Sequence, residues 1–333
     1  MRDRMAVILV FGILGTIFFL VIAIKTNINQ AIELPRRADN YGSNPQFVLL
    51  AFDGSASIPM WQETINFANE LASQGKPAYF TYFVSGVYFL TEKNKNDYQP
   101  PSAPRGTSLI GFASSVKDIS ERVGEMKTSI AEGHEIASHA VGHFNGAKWS
   151  LSQWEQELDS FQKILASVAP KIDVVGFRAP DLGVNDNLEQ ALAKRNYRYD
   201  ASRVSSNSDW PTKNKFGLWE FPLAIIKLPP DNFTTISMDY NIFVIQTKAK
   251  NILEKNSLTW QANRDYLLQA YRDYFYQHYR RNRAPIFIGH HFSKWNDGVY
   301  WEALKDFARE VCGLPKVHCI THRALADYLD QKK

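Results

Sequence analysis

Phe47-Val48-Leu49-Leu50-Ala51-Phe52-Asp53-Gly54-Ser55 is the stretch from which the rest of the chain can be read. Its apolar run has no polar alternation, the pattern of a strand buried on both faces, as strands of a parallel sheet are. The pattern repeats downstream with helices between. Helical periodicity predicts helices over 59–73 (closed by Gly75 and Pro77), 116–132, 187–194, 264–279, 301–311 and 325–330. A further helix to Val168 opens at Ser152-Gln153-Trp154-Glu155, which reads as a capping box. Strands are expected at 78–84, 135–138, 174–178, 286–289 and 317–321, with short ones near Tyr199, at 218–221 and at 242–245. Residues 91–107 are rich in Asn, Pro, Ser and Lys and read as a long loop over one end of the fold. Strands alternating with helices imply an α/β, mainly parallel sheet whose working end lies at the strand C-termini.

The 333 residues suffice for one large core, and 45% hydrophobic content is ordinary for a globular chain. The formal charge of +4 is spread out, with no Lys/Arg block of the kind that tracks a nucleic-acid backbone. Aromatic residues are plentiful, and they serve core packing or a wall on which sugar rings stack. Residues 5–24 carry no charge and are long enough to cross a bilayer as a helix. Arg2 and Arg4 precede them, and Lys25-Thr26-Asn27-Ile28 does not resemble a cleavage site. The expectation is an uncleaved signal-anchor over residues 1–24, a polar linker over 25–45 and an exported domain over 46–333 facing the periplasm or cell surface. Cys312 and Cys319 either pair or remain two buried thiols.

Chemistry-bearing residues gather at the predicted strand ends. Asp53 follows the first strand. His139 and His143 follow the third, four residues apart, a spacing that lets two imidazoles converge on one metal ion. Arg178, Pro180 and Asp181 follow the fourth, Asp200 follows Tyr199, and His290 and His291 end the strand beginning at Ile286. Each has an ordinary alternative, since an Asp after a strand often caps a helix and an Arg often pairs with one. Together they describe a cleft with two metal-binding imidazoles, carboxylates, a guanidinium and a further histidine.

In order and spacing, these residues resemble the polysaccharide deacetylases with the NodB homology domain, the carbohydrate esterase family 4, and especially their chitin-deacetylase-like branch. The resemblance runs from about Gln46 to Leu329. It is carried by Phe52-Asp53, by Gly133-His134-Glu135-Ile136 and His139-x-x-x-His143, and by Arg178-Ala179-Pro180. Tyr199-Asp200-Ala201-Ser202 with Trp210-Pro211, and Asn282-Arg283-Ala284-Pro285 with Ile288-x-His290, complete it. The resemblance implies a distorted (β/α) barrel of about seven strands that hydrolyses acetyl groups on polysaccharides with a divalent metal, zinc in the first instance. It implies His139 and His143 as metal ligands, Asp53 as general base, Arg178 as the group that orients it, and His290 or His291 as general acid. The backbone N–H of Asp181 would hold the oxyanion, and Ile288 and Trp210 would form the acetyl-methyl pocket.

One position departs from the pattern. The family carries a second aspartate after the first strand as third metal ligand, and here that position is Gly54. Asp53 itself, Asp181 or Asp239 would then have to complete the shell. The leading expectation is an active deacetylase acting on an acetylated polysaccharide such as peptidoglycan or a chitin-like glycan. A membrane-tethered glycan-binding pseudoenzyme and a non-polysaccharide amidohydrolase of the same fold are the alternatives.

Overall fold

The computed structural model describes residues 45–206 and 209–331. The expected membrane segment lies outside the described residues, as does the linker apart from residue 45. Among the described residues no helix is long and apolar enough to cross a membrane. The first half runs β1 (Gln46–Gly54), α1 (Ile58–Ser73), β2 (Thr81–Val84), α2 (Val116–Ala131), β3 (Glu135–Ser138), α3 (Leu151–Val168), β4 (Gly176–Phe177) and α4 (Asp186–Lys194). Five strands follow: β5 (Tyr199–Asp200), β6 (Val204–Ser205), β7 (Trp219–Glu220), β8 (Leu223–Leu228) and β9 (Phe233–Ile236). The chain then forms α5 (Asp239–Thr247), α6 (Leu258–Tyr279), β10 (Ile286–His291), α7 (Trp295–Val311), β11 (Val317–Cys319) and α8 (His322–Gln331).

The main sheet is parallel throughout, in the order β10-β1-β2-β3-β4-β5-β7, with β11 also paired to β1. This is the expected seven-strand path, and its two end strands do not pair with each other. A smaller sheet, β6-β8-β9, stands beside it. The Gly289 N–H donates to the Ser237 carbonyl and the Ser237 hydroxyl to the Phe287 carbonyl, covering the outer edge of β10.

Strand geometry sorts the side chains of β1 by parity. Val48, Leu50 and Phe52 enter the large core under the helices, with Trp61, Phe67 and Leu71 of α1. Phe47, Leu49 and Ala51 pack on the inner face with Phe83, Ala137, Tyr199 and Phe287. Asp53 continues the inner set. Because Asp53 is in register with His291, and Phe52 with His290, the same parity separates the two histidines of β10.

Several helix boundaries differ from the sequence reading. The cap of α3 is Ser150, whose hydroxyl accepts from the Gln153 N–H while the Gln153 side chain accepts from the Ser150 N–H. The capping box therefore sits two residues before the expected Ser152–Glu155. Ser257 caps α6, so that helix begins six residues before Arg264. In α7 the first turn passes through left-handed Asn296, Asp297 and Gly298, which hides it from a helical-periodicity test. The expected strand at 242–245 is α5. A short apolar run suits either state, and Asp239 in its first turn favours the helix N-terminus. The hairpin β8–β9 was not foreseen. Cys312 and Cys319 form a disulfide with Cα atoms 5.6 Å apart, joining the end of α7 to β11.

Candidate active site

Asp53 and Arg178 form the floor of the site. Asp53 ends β1 and is 3% exposed, while Arg178 follows β4 and is fully buried. Arg178 Nη1 donates to Asp53 Oδ1 at 2.8 Å, and its Nε donates to the Ala201 carbonyl at 3.1 Å. The guanidinium lies 4.3 Å over the Phe83 ring. One backbone contact and a ring face thus fix the direction from which Asp53 is held, and either charge would be costly to bury alone.

The loop after β3 carries His139 and His143, with ring centroids 5.2 Å apart. His139 Nδ1 is 2.8 Å from the Arg178 carbonyl oxygen. A carbonyl only accepts, so Nδ1 carries the proton and Nε2 keeps its lone pair. Burial lowers the His139 pKa to about 4, so the ring is neutral at physiological pH. Burial also lowers the pKa of His143, against the pull of Asp181, whose Oδ1 is 3.9 Å from His143 Nδ1.

His291 and Asp239 form the opposite wall. His291 Nδ1 lies 2.7 Å from Asp239 Oδ1, and the His291 backbone N–H donates to Oδ2 at 2.9 Å. Burial opposes charging of the imidazole, but the Asp239 carboxylate outweighs it and His291 is raised above the ordinary histidine value. Burial alone would raise Asp239, yet His291 and His290 bring it below its usual value.

His290 does not reach the cleft. It is 2% exposed, its Nε2 meets the Tyr271 hydroxyl at 2.9 Å, and burial takes its pKa down to about 4. Of the two expected acids, His291 alone faces the site, as strand parity requires.

A cavity of about 260 Å³ joins these groups, lined by Asp53, His139, His143, Asp181 and His291. Its apolar lining comes from Ala179, Leu182, Ile236 and Met238, with Tyr240 and Asn241 at one side. The residues expected to form the methyl pocket are elsewhere. Ile288 has the parity of His290 and belongs to the core under the helices. Trp210 lines a different cavity with Arg203 and Glu220, near Phe47 and Tyr328. Met238 supplies apolar surface instead. A Cβ on Gly289 would fall 2.8 Å from Met238 Cε, so glycine there makes room for the thioether. Nothing in the sequence pattern marks Met238, because the segment after β9 is neither alternating nor helical. Asp239 was expected as a metal or substrate contact and instead backs His291. Asp181 borders the cavity with its side chain half exposed.

Among the described residues, no set of three His, Cys, Asp or Glu side chains converges as a metal cluster. The donor chemistry fits a divalent ion at two points, the neutral imidazoles of His139 and His143. At Gly54, where φ is +91°, a Cβ would meet nothing within 4 Å. The space for a further side chain is open, but the backbone there is one that L-residues rarely adopt.

The family model described as polysaccharide deacetylase matches residues 44–199. That segment, just under half of the chain, is therefore similar to this family of hydrolases. The matched region contains Asp53, His139, His143 and Arg178 and stops before Asp239 and His291. A search of curated proteins returns no match. Among solved structures, a Mycobacterium smegmatis protein assigned to the polysaccharide deacetylases is similar in fold. Its TM-score is 0.55 at 18% identity, with 89% of this chain and 94% of that one covered. A peptidoglycan deacetylase from Bacillus subtilis aligns with a TM-score of 0.45 at 11% identity, covering 88% of this chain and 95% of that one. A carbohydrate esterase family 4 pseudoenzyme from Bacillus anthracis aligns with a TM-score of 0.43 at 12% identity, covering 86% and 67%. Within the matched segment, the first-strand aspartate, the histidine pair and the arginine follow one another in the order read from the sequence.

Proposed function

We propose that the chain is a metal-dependent deacetylase that removes N-acetyl groups from a polysaccharide such as peptidoglycan or a chitin-like glycan. The observation that carries this reading is one cavity bordered by Asp53 held by Arg178, the His139–His143 pair, and His291 backed by Asp239. A divalent ion such as zinc, held by His139 and His143, would polarise the acetamide carbonyl and acidify water. Asp53 takes the proton of the attacking water while Arg178 keeps its carboxylate in place. His291, its pKa raised by Asp239, delivers a proton to the departing nitrogen, since an amide anion does not leave. Leu182, Ile236 and Met238 receive the acetyl methyl. The charge-free stretch Met5–Ile24 and the disulfide support an exported domain tethered to the membrane.

Metal analysis of the purified full chain, with acetate release from acetylated chitooligosaccharides and from peptidoglycan, tests the proposal. The unaltered chain is expected to hold metal and release acetate, and His139→Ala to lose both. No metal and no turnover in the unaltered chain would overturn it. Gly54 is the observation that favours the second reading, a glycan-binding pseudoenzyme. That reading requires glycan binding by the unaltered chain without acetate release.

A further inference from the structure

The face of α3 that turns inward is apolar, with Trp154, Leu158, Phe161 and Leu165 buried, and it carries one fully buried carboxylate, Glu157. Glu157 Oε1 accepts the Val141 N–H at 2.9 Å. The Tyr98 hydroxyl lies 2.8 Å from Oε2 and 3.0 Å from Oε1. Val141 is the middle residue between His139 and His143, two positions from each. Tyr98 is itself fully buried, although it comes from the long loop over residues 91–107. Its ring also occupies the space over Gly142, where a Cβ would fall 2.8 Å from Tyr98 Cε1.

The backbone that Glu157 grips is not one the chain would choose unaided. Ala140 and His143 are both left-handed, with φ of 55° and 62°, and neither is glycine. Such conformations persist where the surroundings over-determine them. The carbonyls of Ala140, Val141 and Gly142 accept from the N–H groups of Gly86, Val87 and Leu109. Glu157 supplies the matching acceptor for the central N–H. A hydrophobic residue at position 157 would suit the rest of the helix face and leave that N–H unpaired in the interior.

We propose that Glu157 and Tyr98 are positioning residues that clamp the loop between His139 and His143 and so aim both imidazoles into the cavity. The inference rests on the reading of that pair as metal ligands. Neither residue touches the reacting atoms, and they act through the Val141–Gly142 backbone. Either protonation form of Glu157 leaves an oxygen to accept the Val141 N–H.

The test uses the full chain and Co²⁺ as probe, reading affinity by calorimetry and ligand geometry by the visible absorption of the bound ion. Hydrogen exchange of the Val141 and Gly142 amides is measured alongside, without metal. Glu157→Asp, one methylene too short to reach, is expected to weaken Co²⁺ binding roughly 10- to 100-fold, as loss of an outer support does. Its spectrum should change and its Val141 amide should lose protection. Glu157→Gln should stay close to the unaltered chain, because its oxygen can accept from Val141 and its amide can donate to Tyr98. Tyr98→Phe should fall between the two. A folded Glu157→Asp chain with unaltered Co²⁺ affinity and a protected Val141 amide would overturn the clamp while leaving the metal reading intact. If the unaltered chain binds no Co²⁺, the metal reading fails, and the amides decide the clamp by themselves. If Glu157→Asp does not fold, Tyr98→Phe decides, and full protection with full affinity there overturns the proposal.

Discussion

His290 and His291 are adjacent, yet burial and partners give them opposite chemistry. His290 points under the helices to the Tyr271 hydroxyl and is held neutral. His291 points into the cleft, where the Asp239 carboxylate raises its pKa above the ordinary histidine value. Only His291 can therefore deliver a proton at the cavity. His291→Ala is expected to lower kcat by roughly 10²- to 10⁴-fold, the range for loss of a general acid, with circular dichroism unchanged. Because Asp239 raises the His291 pKa, the active protonated form persists to higher pH and activity falls as pH rises through that value. Asp239→Asn should move that fall to lower pH in the kcat/KM profile, and an unmoved profile would remove Asp239 from this role. The sequence pointed to both histidines and could not separate them. Both faces of β10 are apolar, Ile286 and Ile288 on one and Phe287 on the other, so alternation carries no sign of which face is inner. The same silence misplaced Ile288. Asp53, His139, His143 and Arg178 were legible as residues at strand ends: Asp53 is the penultimate residue of β1, His139 and Arg178 directly follow β3 and β4, and His143 lies in the loop after β3.

Elements were legible where local chemistry decides them and obscure where packing does. Apolar periodicity gave α1, α2 and α4 nearly to the residue, and the structure caps them with Ser57, Ser115 and Asn185. At α3 two serines compete for the cap, and the sequence pattern Ser152-x-x-Glu155 is as acceptable as Ser150-x-x-Gln153. The geometry chooses Ser150, whose hydroxyl accepts from the Gln153 N–H at 3.3 Å. Ser150→Ala is accordingly expected to lower stability by about 1 kcal/mol in urea unfolding. Ser152→Ala, an exposed first-turn change, should stay within about 0.5 kcal/mol. Equal costs, or the reverse order, would return the cap to Ser152. The strand β8 was missed for a different reason. Its burial does alternate toward the end, but it pairs across a turn containing Pro229-Pro230, and the prolines read as a break.

At the scale of the whole molecule, the alternation of strands and helices was enough for a parallel sheet, while strand order was not written in any local pattern. The order depends on β1, which pairs with β10 along one edge and with β11 and then β2 along the other. β11 meets only the first residues of β1, Gln46 to Val48, and so wedges between the entry ends of β1 and β2, where Tyr79 N–H also reaches the Cys319 carbonyl. This wedge is three residues long and would be held by few ladder bonds alone. The Cys312–Cys319 bridge ties it to the end of α7, across a sequence separation of 7. Closing so short a loop removes comparatively little freedom from the unfolded chain, about 2–3 kcal/mol by the loop-entropy relation. The double change Cys312→Ala, Cys319→Ala should therefore lower the unfolding free energy by about that amount in urea, with the slope nearly unchanged. The loss should appear first as faster amide exchange in β11 and at Tyr79, far from the cavity, with Co²⁺ affinity at His139 and His143 retained. A reduced unaltered chain should behave as the double variant does. If reduction and substitution leave stability and β11 exchange unchanged, the wedge is held by its packing under Val317 and Cys319 rather than by the covalent bond.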